Sequence, residues 1–332
     1  MPYLHPKHPI LDFLRHPATR ALLALVGVFI LGLIFNADGA FFKWGTHRDM
    51  LRQVSVFGIL ACGMTLVVIT GGIDLSVGSV LGLVAVMFSI FTIHQSMSPW
   101  VAIPAVLSIG LACGVVSGTL IGRFGLQAFI ATLAVMVFVR GIAKYVTGGQ
   151  KVSTYVTRSG VVETVPLPEV FRFLDARLYG NNIATVTLIF LLCVLLSHVL
   201  LRYMRTGRHL YAIGGNETTA VLSGVPVVRA KVAAYAVSGM FAAIAGICQA
   251  AQEYQGDPEA GATYELRAIA IVVIGGTSLM GGRGGIILTL LGTFTIGYLD
   301  KILSINAVGE ASRLMLTGLI IISAVLLQRV RH

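Results

Sequence analysis

Among the residues that could do chemistry, a single carboxylate, Asp74, stands out. It follows Gly71-Gly72-Ile73 and precedes Leu75-Ser76-Val77-Gly78-Ser79, with almost no other charge nearby. Two roles fit it. Its oxygens can accept from the free N–H groups at the start of the helix that follows. An ionisable group at membrane depth is otherwise a functional site by default. A second glycine-rich break, Gly275-Gly276-Thr277-Ser278-Leu279-Met280-Gly281-Gly282, begins 204 positions later (275 minus 71). Both breaks set unwound backbone beside a helix start, and in transporters such breaks often border the substrate path. The path and structural-motif residues are therefore expected to be Gly71, Gly72, Asp74, Ser76, Gly78, Gly275, Gly276, Thr277 and Ser278.

A third stretch, 205–226, is polar between two apolar runs. Asn216 is placed to cap a short helix from Glu217 to Leu222, with Ser223-Gly224 ending it. Such a helix offers a docking surface to another protein, or the stretch is an inert loop. No enzyme constellation accompanies these features. There is no nucleophile elbow, no GxxxxGK[ST] phosphate loop and no metal-ligand set among the eight histidines and four cysteines. Cys62, Cys113, Cys193 and Cys248 each lie inside an apolar run and read as packing residues. Neither a cofactor nor a metal is expected. If ATP drives this protein, a separate chain must bind the nucleotide.

The elements that position these residues follow from composition. Of 332 residues, 56% are hydrophobic and 11% charged, against roughly 25% charged in a soluble domain. This excludes disorder and argues for a polytopic membrane protein. Apolar stretches, cut at Ser98-Pro99 and free of charge except the fifth, which includes Arg140 and Lys144 near its end, predict an all-α bundle of about ten spans: 21–37, 53–73, 77–94, 99–122, 126–146, 183–201, 232–251, 268–280, 284–299 and 314–328. The eighth is short enough to be broken or re-entrant, and nine spans is the competing count. One membrane domain then fills 1–332, with a leading cytoplasmic segment 1–20, an outer segment 147–182 and a cytoplasmic loop 202–231. The basic run before the first span has no cleavage site after it, so that span reads as an anchor that stays.

The net charge is +10. With ten spans and both termini cytoplasmic, twelve of the 24 basic and three of the 14 acidic residues fall inside. Six of the twelve outer basic residues belong to the fifth helix end and the outer segment. Setting that segment aside leaves the bias that the positive-inside rule requires. Nucleic acid is excluded, since no basic cluster is interleaved with aromatics. Trp44 and Trp100 fall at the outer interface. Gly110, Gly114, Gly118 and Gly122 form a small-residue face on the fourth helix, for packing within the chain or for a dimer seam. The acidic residues Glu253, Asp257, Glu259 and Glu265 are expected outside, solvated or facing a basic partner.

Taken together, three pieces resemble a known family. They are Gly63-Met64-Thr65 leading into Gly71 through Ser79, then Tyr211-Ala212-Ile213-Gly214-Gly215-Asn216-Glu217 with Ser223-Gly224, then Gly275-Gly276-Thr277-Ser278-Leu279 with Gly281-Gly282-Arg283-Gly284. In this order, over about residues 50–328, the chain resembles the permease subunit of ribose-, galactose- and xylose-type sugar ABC importers of the bacterial plasma membrane. The resemblance implies translocation of a monosaccharide. It implies four kinds of contact: an ATP-binding subunit, an external sugar-binding protein, a second permease subunit (the same chain or a related one) and the bilayer. It also implies that a short helix docks into the ATPase, which assigns that coupling role to Asn216, Glu217, Thr218, Ala220, Leu222, Ser223 and Gly224. The outer segment 148–182 carries no family signal. Two alternatives stay open: a secondary transporter with Asp74 at a coupling-ion site, and an ABC permease for a sugar-derived autoinducer or a nucleoside.

Overall fold

Backbone that crosses lipid must satisfy its own amides, so long apolar runs fold as helices. The computed structural model describes residues 17–158, 161–309, 311–316, 318, 319 and 322. In chain order its helices are α1 (Pro17–Ile34), α2 (Trp44–Ile69), α3 (Val77–Ser89, prolonged by a π-helical turn over Ile90–His94), α4 (Pro99–Gly122), α5 (Ala128–Thr147), α6 (Glu169–Asp175), α7 (Thr185–Tyr203), α8 (Arg205–Gly215), α9 (Glu217–Leu222), α10 (Val227–Glu253), α11 (Tyr264–Gly275) and α12 (Ile286–Ile305). Among the described residues, eight of these helices are long and apolar enough to cross a membrane: α1 to α5, α7, α10 and α12. The expected leading segment 1–20 lies mostly outside the described residues, and so does the expected tenth span, 314–328.

Two expectations change. The eighth span does not occupy 268–280. It is α11, which starts four residues earlier and stops at Gly275, where Gly276 turns at φ 102°. At 12 residues it covers only about 18 Å. The fold is also not purely helical. The segment 147–182 holds an antiparallel hairpin of β1 (Tyr155–Arg158) and β2 (Val161–Thr164), then α6, then a short pair of β3 (Arg177–Leu178) and β4 (Ile183–Ala184). β-Branched residues dominate β1 and β2, which favours extended backbone where no apolar helical face is called for.

α10 is the axis of the bundle, packed by α4, α3 and α2. Lipid supplies no hydrophobic drive between helices, so close association depends on small residues. The glycine face of α4 meets α10 within the chain: Gly110 lies on Gly239, Gly114 on Tyr235 and Ala236, Gly118 on Val232 and Gly122 on Val228. A Cβ at Gly114 would sit 2.8 Å from Ala236 Cα, and one at Gly118 would sit 2.7 Å from Val232 Cα. The stripe is thus used for intrachain packing.

Gly114→Leu is expected to cost about 1–3 kcal/mol or more through overpacking. Gly141→Ala, on an open face of α5 with nothing within 4 Å, should be neutral or stabilising. Thermal unfolding followed by size-exclusion chromatography in detergent checks this, and equal behaviour of the two variants would contradict the packing role.

Candidate functional site

The three glycine-rich pieces, far apart in the chain, meet at one end of the bundle. α2 stops at Ile69, and Gly71 turns the chain at φ 80°. The Ile69 carbonyl, left without a helical partner, accepts the Gly282 N–H at 2.9 Å. Gly214 of α8 presses on the same point, where any Cβ would collide with the Ile69 oxygen and the Gly282 amide. Gly281, at φ 85°, leaves room for Gly71 and Gly214. The Tyr211 hydroxyl donates to the Gly284 carbonyl at 3.0 Å. Beyond Gly275 and Gly276, the buried Thr277 accepts the Gly285 N–H at 3.4 Å, and Ser278 donates its N–H to Arg283 at 3.0 Å. The α2–α3, α8–α9 and α11–α12 connections therefore form one junction.

Asp74 lies deeper in the bundle, with 1% of its surface exposed. Its Oδ1 accepts the Ser76 hydroxyl at 2.6 Å and the Ser76 N–H at 3.1 Å, and its Oδ2 accepts the Ser238 hydroxyl of α10 at 2.8 Å. The N-cap position of α3 is Ser76, whose own side chain makes no cap bond. Asp74 thus closes the turn ahead of α3 and ties it to α10; none of these bonds reaches a first-turn amide of α3. Ser238 is eleven residues beyond Val227, about 16 Å along α10. Asp74 therefore lies at depth in the bundle and not with the charges at the helix ends. Tyr235 covers Gly72 and donates to the Ile73 carbonyl at 3.4 Å. Gly78, one residue into α3, packs on the Gly261 carbonyl.

The short helix α9 has the limits that its sequence indicates. Asn216 Oδ1 accepts the Thr219 N–H at 2.8 Å, and Ser223 and Gly224 (φ 78°) follow its end. Ala220 is buried in a cluster with Leu66, Ile69, Leu210, Ile213, Val227 and Ala230. Asn216, Glu217, Thr218, Leu222, Ser223 and Gly224 are exposed, and Leu222 projects with 84% of its surface free. Lys231 of α10 donates to both oxygens of Glu217, at 2.7 and 2.8 Å. A cavity of about 360 Å³ lies behind this pair, lined by Thr70, Gly71, Gly72, Gln127, Glu217, Lys231 and Tyr235 among others.

The opposite end is held by charge pairs. Arg52 pairs with Asp175, and Arg177 pairs with Asp49 at 2.6 Å. Of the acidic stretch, Glu253 and Glu259 are exposed, as expected of solvated residues, while two members also pair with this chain's own cations. Asp257 pairs with Lys151 at 2.9 Å and Glu259 with Lys144 at 2.5 Å. Glu253 accepts from Gln249 at 2.5 Å, and the half-buried Glu265 turns toward Gly78 in the bundle. The hydrogen bond to Asp257 and that residue's charge raise the Lys151 ammonium above its ordinary pKa. Burial, then the hydrogen bond donated to Asp175 at 3.0 Å, push the Tyr254 hydroxyl up. Sequence reasoning passed over Ser238, Tyr235 and Lys231. Nothing in an Ala- and Gly-rich helix marks which serine or tyrosine will face a carboxylate 164 residues away.

The comparisons with known proteins agree with this architecture. A family model described as the permease component of a branched-chain amino acid transport system matches residues 48–325. The ribose import permease protein of Escherichia coli K12 is 37% identical over 310 residues, covering 92% of each chain. That of Bacillus subtilis is 38% identical over 305 residues, covering 92% of this chain and 91% of its own. A fructose import permease protein of Bifidobacterium longum is 34% identical over 313 residues, covering 92% and 90%. No solved structure matches the chain.

Asp74→Asn keeps an acceptor for Ser76 and an amide for Ser238, so it should cost little stability. Asp74→Leu leaves two buried hydroxyls without their partner, at about 1–3 kcal/mol each. Thermal midpoints of the purified variants test this. Equal large losses from both would show that the negative charge itself is required.

Proposed function

Because this chain belongs to the transport-system permease-component family whose model matches residues 48–325, we propose that it is the membrane permease subunit of an ATP-driven importer that moves a monosaccharide. The sugar class rests on relatives named as ribose and fructose import permeases, 34–38% identical over nine-tenths of the chain. The bilayer is the plasma membrane of a bacterium, and both termini are cytoplasmic. Arg202, Arg205, Arg208, Arg229 and Lys231 cluster around α8 and α9, as expected of a cytoplasmic end. ATP hydrolysis belongs to a separate ATP-binding subunit. A sugar-loaded binding protein docks on the other face, where the segment 147–182 is held by charge pairs. A second permease subunit completes the path.

The observation that carries the coupling reading is the position of α9. Its outer face is bare, and its inner face, through Ala220, packs in the cluster that holds Leu210 and Ile213 of α8, whose Gly214 presses on the Ile69 carbonyl at the glycine junction below Asp74. A push on α9 from an ATPase reaches the α2–α3 turn through packed backbone and not through a flexible loop. Two rigid arrangements biased from both faces are the condition for coupling. Ion-driven transport is less well supported, because both Asp74 oxygens are already engaged by Ser76 and Ser238.

Leu222→Asp alters only an exposed side chain, so the subunit should reach the membrane at normal levels. Co-purification with the ATP-binding subunit and sugar uptake should each fall at least about tenfold, as for loss of an interface anchor. Normal uptake with normal assembly would refute the docking role.

A further inference from the structure

On the side of the bundle, a cavity of about 270 Å³ opens between α3, α5 and the start of α11, where Val137 is 63% exposed. Ser79, Arg140, Thr263 and Glu265 give it polar groups, and Met136 and Val137 give it an apolar wall. Met136 and Val137 stand at the centre of the 20-residue α5, about 14 Å from either end. The cavity therefore brings two ionisable side chains to mid-depth, where charge is costly and marks transport paths. By sequence alone Arg140 counts with the outer end of the fifth span and Glu265 with an outer acidic stretch. The fold carries the loop inward: Gly256 packs on Ala85 and Val86, and Gly261 on Gly78, a descent of eight residues of α3 or about 12 Å.

We propose that this cavity is a monosaccharide subsite on the transport path, with Arg140, Glu265, Ser79 and Thr263 as its hydroxyl-binding groups. The proposal rests on the reading of the chain as a sugar permease. Arg140 is held in place from behind. Its Nη1 donates to the Pro258 and Ala260 carbonyls at 2.5 and 2.7 Å, and Gly82 leaves the space that the guanidinium fills. A guanidinium has five N–H donors, a carboxylate only acceptors, and each hydroxyl offers both. Opposite charges in one cavity suit a neutral ring with adjacent hydroxyls better than an anion or a cation. The apolar wall suits the C–H face of such a ring. The volume lies just below the roughly 300 Å³ at which small-molecule pockets begin, which matches one sugar ring and not two. Thr263 opens α11 at φ 68°, a conformation that β-branched residues rarely adopt. Its side chain makes no cap bond to the helix, so the hydroxyl remains available to a ligand.

The test uses the full transporter, with its ATP-binding subunit and binding protein, in lipid vesicles. Uptake of D-ribose or D-fructose, whichever the wild type moves, is measured beside the ATP hydrolysed. Glu265→Gln should lower the sugar moved per ATP about tenfold, the worth of one charge-assisted bond, while ATP hydrolysis stays within about twofold. Thr263→Val, which keeps the branched shape, should lower the ratio about threefold, and Thr263→Ser should retain it. If Glu265→Gln fails to assemble, the two Thr263 variants decide the matter. Uptake and ATP hydrolysis falling in parallel, or an unchanged ratio, overturns the subsite alone. Wild-type vesicles that take up neither these sugars nor any other monosaccharide of a panel overturn the permease reading and the subsite with it.

Discussion

The hydrogen bond from the Gly282 amide to the Ile69 carbonyl is the contact on which the rest of the arrangement depends. A helix that ends leaves carbonyls without partners, and at a fully buried end such as Ile69 no water can supply them. α2 can stop at Ile69 only because another broken segment brings an amide to that oxygen. The geometry admits no side chains at the crossing, hence Gly214, Gly281 and Gly282 where the pieces touch. Once α2 stops there, the chain can turn through Gly71 and Gly72, and Asp74 can reach Ser238.

That junction also gives the bundle its mechanical character. Close-packed backbone transmits displacement because it offers no slack. α9 packs on α8, whose Gly214 meets the Ile69 carbonyl, while the N-terminal Glu217 of α9 is clasped by Lys231 of α10. α10 in turn holds Asp74 through Ser238 and receives the glycine face of α4. A displacement of α9 would therefore bear on α8 and on the bundle axis together. The opposite end is built differently, from ion pairs between the segment 147–182, the residues after α10 and the starts or ends of spans. Surface pairs of this kind contribute little each, so this end is held by several contacts of modest strength.

Much of this was legible in the residues. The apolar runs mark the spans because crossing lipid demands about 20 apolar residues, and α3 and α4 keep the limits 77–94 and 99–122 set by Ser76, His94, Pro99 and Gly122. Asn216 announces α9 because capping is local chemistry. Glycine pairs at 71–72, 275–276 and 281–282 mark the breaks. The hairpin of β1 and β2 was not legible, since a polar stretch with β-branched residues fits a loop equally well.

The sequence by itself determined a multi-pass helical protein, its breaks and its exposed short helix, because length, apolarity and capping act between neighbours in the chain. Only the tertiary structure decided which break faces which. It alone paired Asp74 with Ser238, brought Arg140 and Glu265 to one cavity beside the centre of α5, and turned the α4 glycine face toward α10. Depth and pairing belong to the packed assembly: a charge beside other charges in sequence looks solvated until the fold shows that its loop descends between helices.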